Sequence, residues 1–144
     1  MAEFVSSSKR MQRLLAALDA VAASPAPVLI RGERGSGKEY LARKIHEKRT
    51  HHGPFVTVKC LSFDRSCISN LAPDATLFLD GVQELGAGGQ ADLHAFLSKG
   101  GQTNQVKVIA SASGDLDVLV SKGQFRRDLL VMLGLISVSC PPLR

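Results

Sequence analysis

The sequence predicts a three-layer α/β fold built on a parallel β-sheet, and three observations favour this class. Short apolar runs at residues 28–30 and 76–79 are typical of strands that are buried on both faces. Segments with apolar residues at helical spacing lie between such runs. Strands and helices alternate from residue 27 to residue 138, the pattern of a parallel sheet covered by helices on both sides. We expect residues 1–144 to form one domain of this kind.

The composition is that of an ordinary soluble protein, with 44% hydrophobic and 22% charged residues. No apolar run approaches the roughly 20 residues that a membrane-spanning helix needs, and no signal-peptide pattern opens the chain. Cys60, Cys67 and Cys140 are scattered and odd in number, which argues against a disulfide framework and for a reducing cytoplasm. The net charge of +5 permits contact with nucleotide or nucleic acid, but a mildly basic surface explains it more simply.

An amphipathic helix is predicted before the first strand. Ser8 is a suitable N-cap, and apolar residues follow at helical spacing: Met11, Leu14, Leu15, Leu18 and Val21. By itself this stripe indicates packing against a core. Residues 22–27, with the sequence AASPAP, then form a turn into the central strand.

The segment after that strand has the spacing of a phosphate-binding loop, G-x-x-x-x-G-K. Its glycines allow a tight turn in which successive N–H groups point at one anion, and the helix that follows adds its N-terminal dipole. The predicted binding residues are Gly32, Glu33, Arg34, Gly35, Ser36, Gly37, Lys38 and Glu39. The alternative is a glycine-rich turn with an incidental lysine. A strand before it and a helix with Leu41, Ala42 and Ile45 after it favour nucleotide phosphate binding.

Asp80 ends the apolar run at residues 76–79 and is the second candidate for nucleotide chemistry. A carboxylate at the carboxyl end of a parallel strand beside a phosphate loop is suited to hold Mg²⁺. Further strands are predicted at residues 55–58, 106–111 and 135–138. A basic run at residues 43–52 fits a solvated helix face better than a phosphate or nucleic-acid site. His51 and His52 have no acidic or cysteine partner nearby for a metal site.

Several of these segments together resemble the central AAA+ domain of the sigma-54-dependent transcription activators. GERGSGKE at residues 32–39 resembles G-E-S-G-T-G-K-E, GPFVTVKC at 53–60 resembles G-P-F-V-x-V-N-C, and LFLDG at 77–81 resembles L-F-L-D-E. QADLHAFL at 90–97, GQFRRDL at 123–129 and PPLR at 141–144 also match the family's segments. The resemblance implies a P-loop NTPase of the AAA+ type, with a five-stranded parallel sheet in the order 5-1-4-3-2.

The resemblance also implies roles for particular residues. The ligand would be ATP or ADP with Mg²⁺, which Asp80 would help to hold. Phe4 and Val5 match the family's entry segment and would lie against the adenine. Ser113 stands at the sensor position of the fourth strand, where the family has asparagine, and Arg126 stands at the position of an arginine finger.

The chain departs from the family pattern at positions that the resemblance assigns to ATP hydrolysis and to sigma-54 contact. Gly81 replaces the glutamate that activates water, a group that typically supplies a factor of about 10²–10⁴. Met132 replaces a second arginine finger. Residues 61–75 are too few to contain the loop, G-A-F-T-G-A, that contacts sigma-54. No helical lid or DNA-binding helix-turn-helix follows Pro141–Arg144 in this sequence, so we expect no direct DNA binding.

We therefore expect an adenine-nucleotide-binding, hydrolysis-deficient AAA+ module that acts in transcription regulation through protein contacts. Its partners would be transcription-regulatory proteins or further copies of the chain, and not a membrane. Two alternatives stay open. One is a pseudo-ATPase interaction protein with an empty site, and the other is a fragment of an active ATPase.

Overall fold

The computed structural model describes residues 9–50, 53–99 and 105–140, and its centre is a five-stranded parallel sheet. The strands are β1 (Val28–Arg31), β2 (Phe55–Lys59), β3 (Thr76–Asp80), β4 (Lys107–Ala112) and β5 (Ile136–Ser139). They lie in the order β2-β3-β4-β1-β5. This is the predicted order 5-1-4-3-2 viewed from the opposite edge, so that prediction is confirmed.

The three inner strands are the most apolar because both faces of the sheet are covered. In β3, residues 76–79 are all buried, and every residue of β4 is buried. The edge strands β2 and β5 are less covered, and each has a single buried residue, Val58 and Val138. Register pairs Leu29 with Ala110 and Val58 with Leu79, which aligns the carboxyl ends of β1, β2, β3 and β4.

The helices form a layer on each face of the sheet. They are α1 (Lys9–Ala16), α2 (Leu18–Ala23), α3 (Lys38–Glu47), α4 (Ser66–Ser69), α5 (Ala87–Ser98), α6 (Leu116–Ser121) and α7 (Arg127–Leu133). On one face, α2 and α3 pack against the sheet through residues such as Leu18 and Leu41. On the other face, α4 to α7 do so through residues such as Leu93 and Leu129. The predicted three-layer arrangement is confirmed.

Three sequence-based boundaries are corrected. The amphipathic stripe predicted one helix before β1, but Ala17 separates α1 from α2, and its N–H is shared between the carbonyls of Arg13 and Leu14 at 3.2 and 3.1 Å. The last two strands begin one residue later than predicted, at Lys107 and Ile136. The predicted cap at Ser8 lies outside the described residues, as do His51 and His52.

No helix in the described ranges is long and apolar enough to cross a membrane. The fold instead provides one functional edge. In a parallel sheet all strands end at the same side, and helix N-termini face the ligand there. The phosphate loop after β1, Asp80 at the end of β3 and the turn after β4 therefore lie at one edge.

Candidate functional site

The phosphate loop joins β1 directly to α3 and has the backbone that its glycines predict. Gly35 has a φ of 79° and Gly37 a φ of 90°, values that side chains with a Cβ rarely adopt. At Gly32, a Cβ would come within 2.6 Å of the Ser36 hydroxyl and 2.9 Å of the Cys140 carbonyl. The close packing at Gly32 and the left-handed turns at Gly35 and Gly37 make a narrow, tightly turned loop, which we call the phosphate cradle.

Lys38 begins α3, and its ammonium group lies inside this cradle. It donates hydrogen bonds to the carbonyls of Gly32 at 3.0 Å and Glu33 at 2.7 Å. Partial burial lowers the pKa of Lys38, while the charge of Asp80 acts in the opposite direction. The sequence-predicted cation is thus positioned to exchange its carbonyl partners for phosphate oxygens.

Cys140 braces the loop from the end of β5. Its thiol donates to the carbonyl of Ser36 at 2.8 Å, and its N–H donates to the carbonyl of Arg31 at 2.6 Å. Burial raises the pKa of Cys140, which keeps the thiol protonated as the donor. Sequence analysis used this cysteine only to infer the redox compartment. Its contact with the loop depends on the pairing of β5 with β1, which no local pattern reveals.

Asp80 lies at the end of β3, where Ser111 of β4 orders it. The Ser111 hydroxyl donates to the Asp80 carboxylate at 3.3 Å and accepts the N–H of Gly81 at 3.0 Å. Ser111 is almost fully buried, with 1% of its surface exposed. Mg²⁺ is usually held by one or two carboxylates together with substrate phosphates, so a single Asp80 facing the phosphate loop fits that ion.

Gly81, which sequence analysis placed at the position of the family's glutamate, has a left-handed backbone conformation. Its φ of 79° and ψ of 60° lie in the left-handed region, and Val82–Glu84 form one turn of 3₁₀ helix directly after it. A residue with a side chain would be strained at this point whatever space surrounds it. Glu84 lies on the same cleft and is exposed, but at a position that the family does not use for the base.

Ser113 is engaged by a residue that sequence analysis did not single out. The side-chain amide of Gln83 donates to the Ser113 hydroxyl at 3.1 Å, and its oxygen accepts the Ser113 N–H at 3.3 Å. This pair links the turn after β3 to the turn after β4 along the lining of the cleft. Ser113 therefore reaches the site, but with its hydroxyl already bonded to a neighbour.

These residues surround a single open cleft of about 500 Å³. It is lined by Arg34, Gly35, Ser36, Lys38, Glu39, Lys59, Leu61, Asp80, Gly81, Gln83, Glu84, Ser111 and Ser113. Glu39, predicted as a binding residue, turns partly away, because its carboxylate pairs with Arg43 on the next turn of α3 at 3.1 Å. Phe4 and Val5, predicted to contact adenine, lie outside the described residues.

Arg126 does not line this cleft. Its guanidinium donates two hydrogen bonds to the carboxylate of Asp128, at 3.0 and 2.8 Å, and His94 lies 3.2 Å from the same carboxylate. The bond from Arg126 lowers the pKa of Asp128 to about 2. Met132, at the second finger position, is half-buried and packs against the core. The Arg126 side chain is 41% exposed, so this ion pair is a surface contact.

The basic run after the phosphate loop is used within the fold. Arg49 donates to the carbonyls of Asp74 and Ala75 at 2.8 and 3.1 Å and to the Thr76 hydroxyl at 2.8 Å. Arg43 lies 4.6 Å from the centre of the Phe55 ring. These contacts tie α3 to the sheet and favour a structural role for this face over a nucleic-acid surface.

Two buried polar residues that sequence analysis did not assign to these contacts hold connecting segments in place, and Lys107 does so at the start of β4, on the edge of the sheet opposite the cleft. Gln90 donates to the carbonyls of Leu85 and Gln124, both at 3.0 Å, and is 3% exposed. Lys107 is also 3% exposed and donates to three carbonyls of the turn before β1: Val21, Ser24 and Ala26, at 2.7–2.9 Å. The sequence offered two signals for these contacts. One is the glutamine that begins the segment at residues 90–97, and the other is the lysine that begins a buried strand.

Comparison with known proteins agrees with this geometry. A family model described as the sigma-54 interaction domain matches residues 5–143. A Nif-specific regulatory protein from Rhizobium leguminosarum bv. trifolii is 31% identical over 175 aligned positions, which cover 99% of this chain and 50% of that protein. This chain therefore spans about half the length of that relative. The alignment is longer than the 144 residues of this chain, so the relative carries residues here that this chain lacks.

Solved structures have the same architecture. NtrX from Brucella abortus in complex with ADP superposes with a TM-score of 0.81 and 27% identity, over 93% of this chain and 36% of that one. Its complex with ATP gives a TM-score of 0.80. The P-loop NTPase domain of a sigma-54 activator from E. coli, at 17% identity and a TM-score of 0.68 over 93% of this chain and 96% of that one, shares the fold. The chain belongs to the sigma-54 interaction domain family, the AAA+ domain of sigma-54-dependent transcription activators.

Proposed function

We propose that this chain is one AAA+ module that binds adenine nucleotide, hydrolyses ATP poorly or not at all, and acts in transcription regulation through protein contacts. The observation that carries the proposal is the combination of Lys38 in a formed phosphate cradle with Gly81 at the position of the water-activating acid. The first feature serves ground-state binding. The second removes a group that acts mainly in the transition state.

The phosphate loop supports nucleotide binding by the narrow turn at Gly32, Gly35 and Gly37 and by the charge of Lys38. The similar NtrX protein from Brucella abortus has been solved in complex with ADP and with ATP. Asp80 would hold Mg²⁺ together with the phosphates, and that ion would neutralise phosphate charge when bound. The roles that the resemblance implies for Phe4 and Val5 at the adenine are part of this proposal.

The loss of hydrolysis follows from the residues that face the cleft. Gly81 has no group that could orient or deprotonate water. Glu84 would need a rearranged backbone to take its place, because it lies three residues on, at the end of a 3₁₀ turn. Met132, at the second finger position, carries no charge, so part of the stabilisation of about 10³–10⁵ that an arginine finger can give is lost as well.

The residues between β2 and β3 support an altered partner. In the family this region carries the loop that contacts sigma-54, whereas residues 61–75 here contain only the end of a 3₁₀ turn, α4 and a short connection to β3. We propose that the chain neither binds nor remodels sigma-54, and that its contacts are with other regulatory proteins or with copies of itself in the cytoplasm. A stable nucleotide-dependent complex with purified sigma-54, detected by gel filtration, would contradict this.

An interaction module with an empty site is the second candidate. The ammonium of Lys38 already donates to the carbonyls of Gly32 and Glu33. A bound phosphate would have to compete with these carbonyls for the ammonium. The third possibility, a part of an active ATPase, is consistent with the share of its relatives that the chain spans. Binding measurements separate the second candidate from the first, and turnover of the longer protein would separate the third.

Isothermal titration calorimetry with ATP and ADP, with and without Mg²⁺, tests the proposal. We expect a dissociation constant in roughly the micromolar-to-millimolar range. Lys38→Ala should weaken binding by at least about tenfold, because an ionic contact to the phosphates is lost. Lys44→Ala is the matched control, since Lys44 lies on the same helix but does not line the cleft. Its ammonium lies 3.5 Å from the carboxylate of Glu47. Equal affinity in the Lys38→Ala variant and in the unsubstituted chain would refute the proposed site.

A further inference from the structure

A second lysine faces the nucleotide cleft from the strand that lies furthest from the phosphate loop. Lys59 is the last residue of β2 and is paired in register with Asp80 at the end of β3. Both residues line the cleft of about 500 Å³ that contains Lys38. The cleft is therefore bounded by one lysine at the loop and by another across from it, with the metal-holding carboxylate between them.

The alternation of β2 directs Lys59 to the face of the sheet that carries α3. Val58 packs in the core on the opposite face. Phe55, four residues before Lys59 and on the same face, packs against Phe78 and beneath Arg43 of α3. Since strand residues two apart share a face, Lys59 lies on the side of the sheet where the phosphate loop enters its helix.

Within the part of the chain that the structure describes, the side chain of Lys59 makes no ion pair or hydrogen bond, and the residue is exposed. The neighbouring cations differ in this respect. Lys38 donates to two loop carbonyls, and Arg43 pairs with Glu39. Lys59 thus presents a charge to the cleft that no protein group satisfies.

The charge on this wall of the cleft, formed by Lys59 and Gly81 at and after the ends of β2 and β3, also differs from the family pattern set out above. The position of Lys59 is asparagine in G-P-F-V-x-V-N-C, and the position of Gly81 is glutamate in L-F-L-D-E. Together the two differences make the wall two units more positive. A glutamate there would repel phosphate oxygens while it served hydrolysis, whereas a lysine attracts them.

We infer that Lys59 binds the terminal phosphate of a nucleoside triphosphate held in the phosphate loop, so that the site retains ATP in preference to ADP. This inference rests on the proposed nucleotide binding and deepens it. In this inference the phosphate loop holds the first two phosphates, and the third extends the anion across the cleft that Asp80 and Lys59 also line. The chain would then distinguish the two nucleotides by binding, without turnover, and Lys59 would supply part of the positive charge that Mg²⁺ otherwise provides.

The test is calorimetric titration of ATP and of ADP into the unsubstituted chain and into Lys59→Gln, Lys59→Arg and Lys99→Gln variants, in the absence of Mg²⁺. Lys99 ends α5 and is exposed away from the cleft, so it controls for the loss of one surface charge. We expect Lys59→Gln to weaken ATP binding by about tenfold and ADP binding by less than about twofold. Lys59→Arg should keep the preference, and Lys99→Gln should leave both affinities unchanged.

Three outcomes would overturn the inference. Equal losses for ATP and ADP in Lys59→Gln, in a variant with an unchanged circular dichroism spectrum, would assign Lys59 a general role. No loss for either nucleotide would remove Lys59 from the site while leaving the proposed function intact. Absence of any nucleotide binding by the unsubstituted chain would overturn the proposed function itself and this inference with it.

Discussion

The side-chain oxygen of Gln90 accepts the backbone N–H of Arg126 at 2.8 Å, and this bond fixes where the candidate finger leaves the core. The amide nitrogen of the same side chain donates to the carbonyls of Leu85 and Gln124. One buried glutamine therefore joins the turn after β3, helix α5 and the segment before α7. The segment at residues 90–97, which sequence analysis matched to the family, thus provides this polar junction.

Replacing Gln90 with leucine should destabilise the fold by about 2–4 kcal/mol, because three backbone groups lose their partner, one of them buried and two partly buried. The free energy of unfolding in urea, measured by circular dichroism, checks this. Gln124→Leu is the matched control, since the Gln124 side chain is exposed, and it should change stability by less than about 0.5 kcal/mol. Similar values for the two variants would show that the junction contributes little.

Replacing Gly81 with alanine should destabilise the fold by about 1 kcal/mol, because the φ of 79° at this position is unfavourable for a residue with a Cβ. Gly88→Ala is the control: Gly88 lies within α5 with open space around it, so alanine fits there and favours the helix. Urea unfolding of both variants makes the comparison. If Gly81→Ala were as stable as Gly88→Ala, the left-handed backbone at Gly81 would carry no such cost.

Lys107 gives the stability of the fold a pH dependence. Burial lowers its pKa from 10.5 to about 8, so between these values the unfolded chain holds a proton that the folded chain has released. The free energy of unfolding should therefore rise with pH across this window, by at most about 1.4 kcal/mol per unit from this residue. Below pH 8 the residue adds no slope.

Urea unfolding of the unsubstituted chain and of Lys107→Met, measured from pH 7 to pH 10, isolates this contribution. The difference between the two should move in favour of the unsubstituted chain above pH 8. Lys122→Met, which changes an exposed lysine, should run parallel to the unsubstituted chain. A constant difference between the unsubstituted chain and Lys107→Met would mean that Lys107 titrates alike in the folded and unfolded states.

The fold and the centre of the site were predictable because their signals are local. Apolar runs bounded by turns located all five strands to within one residue, and the spacing of Gly32, Gly37 and Lys38 located the phosphate loop. Asp80 followed from its place at the end of an apolar run. In each case the residue types needed for the chemistry lie within one short segment.

The remaining parts depend on contacts between distant segments. Lys107 bonds to carbonyls more than 80 residues earlier, and Cys140 reaches Ser36 across 104 residues. Every residue has a backbone carbonyl, so the sequence does not show which carbonyls a buried polar side chain will contact. The left-handed backbone at Gly81 was also hidden, because a glycine in place of glutamate shows that a group is lost but not which conformation the chain adopts.

The central claim is that this site binds nucleotide without turning it over, and steady-state phosphate release under saturating MgATP tests it most directly. The purified chain should release phosphate no faster than its Asp80→Ala variant, and Gly81→Glu should restore little, because the backbone there is left-handed and Met132 leaves the second finger position uncharged. Turnover near one per second that Asp80→Ala abolishes would contradict the account and would identify another base, with Glu84 the first residue to replace.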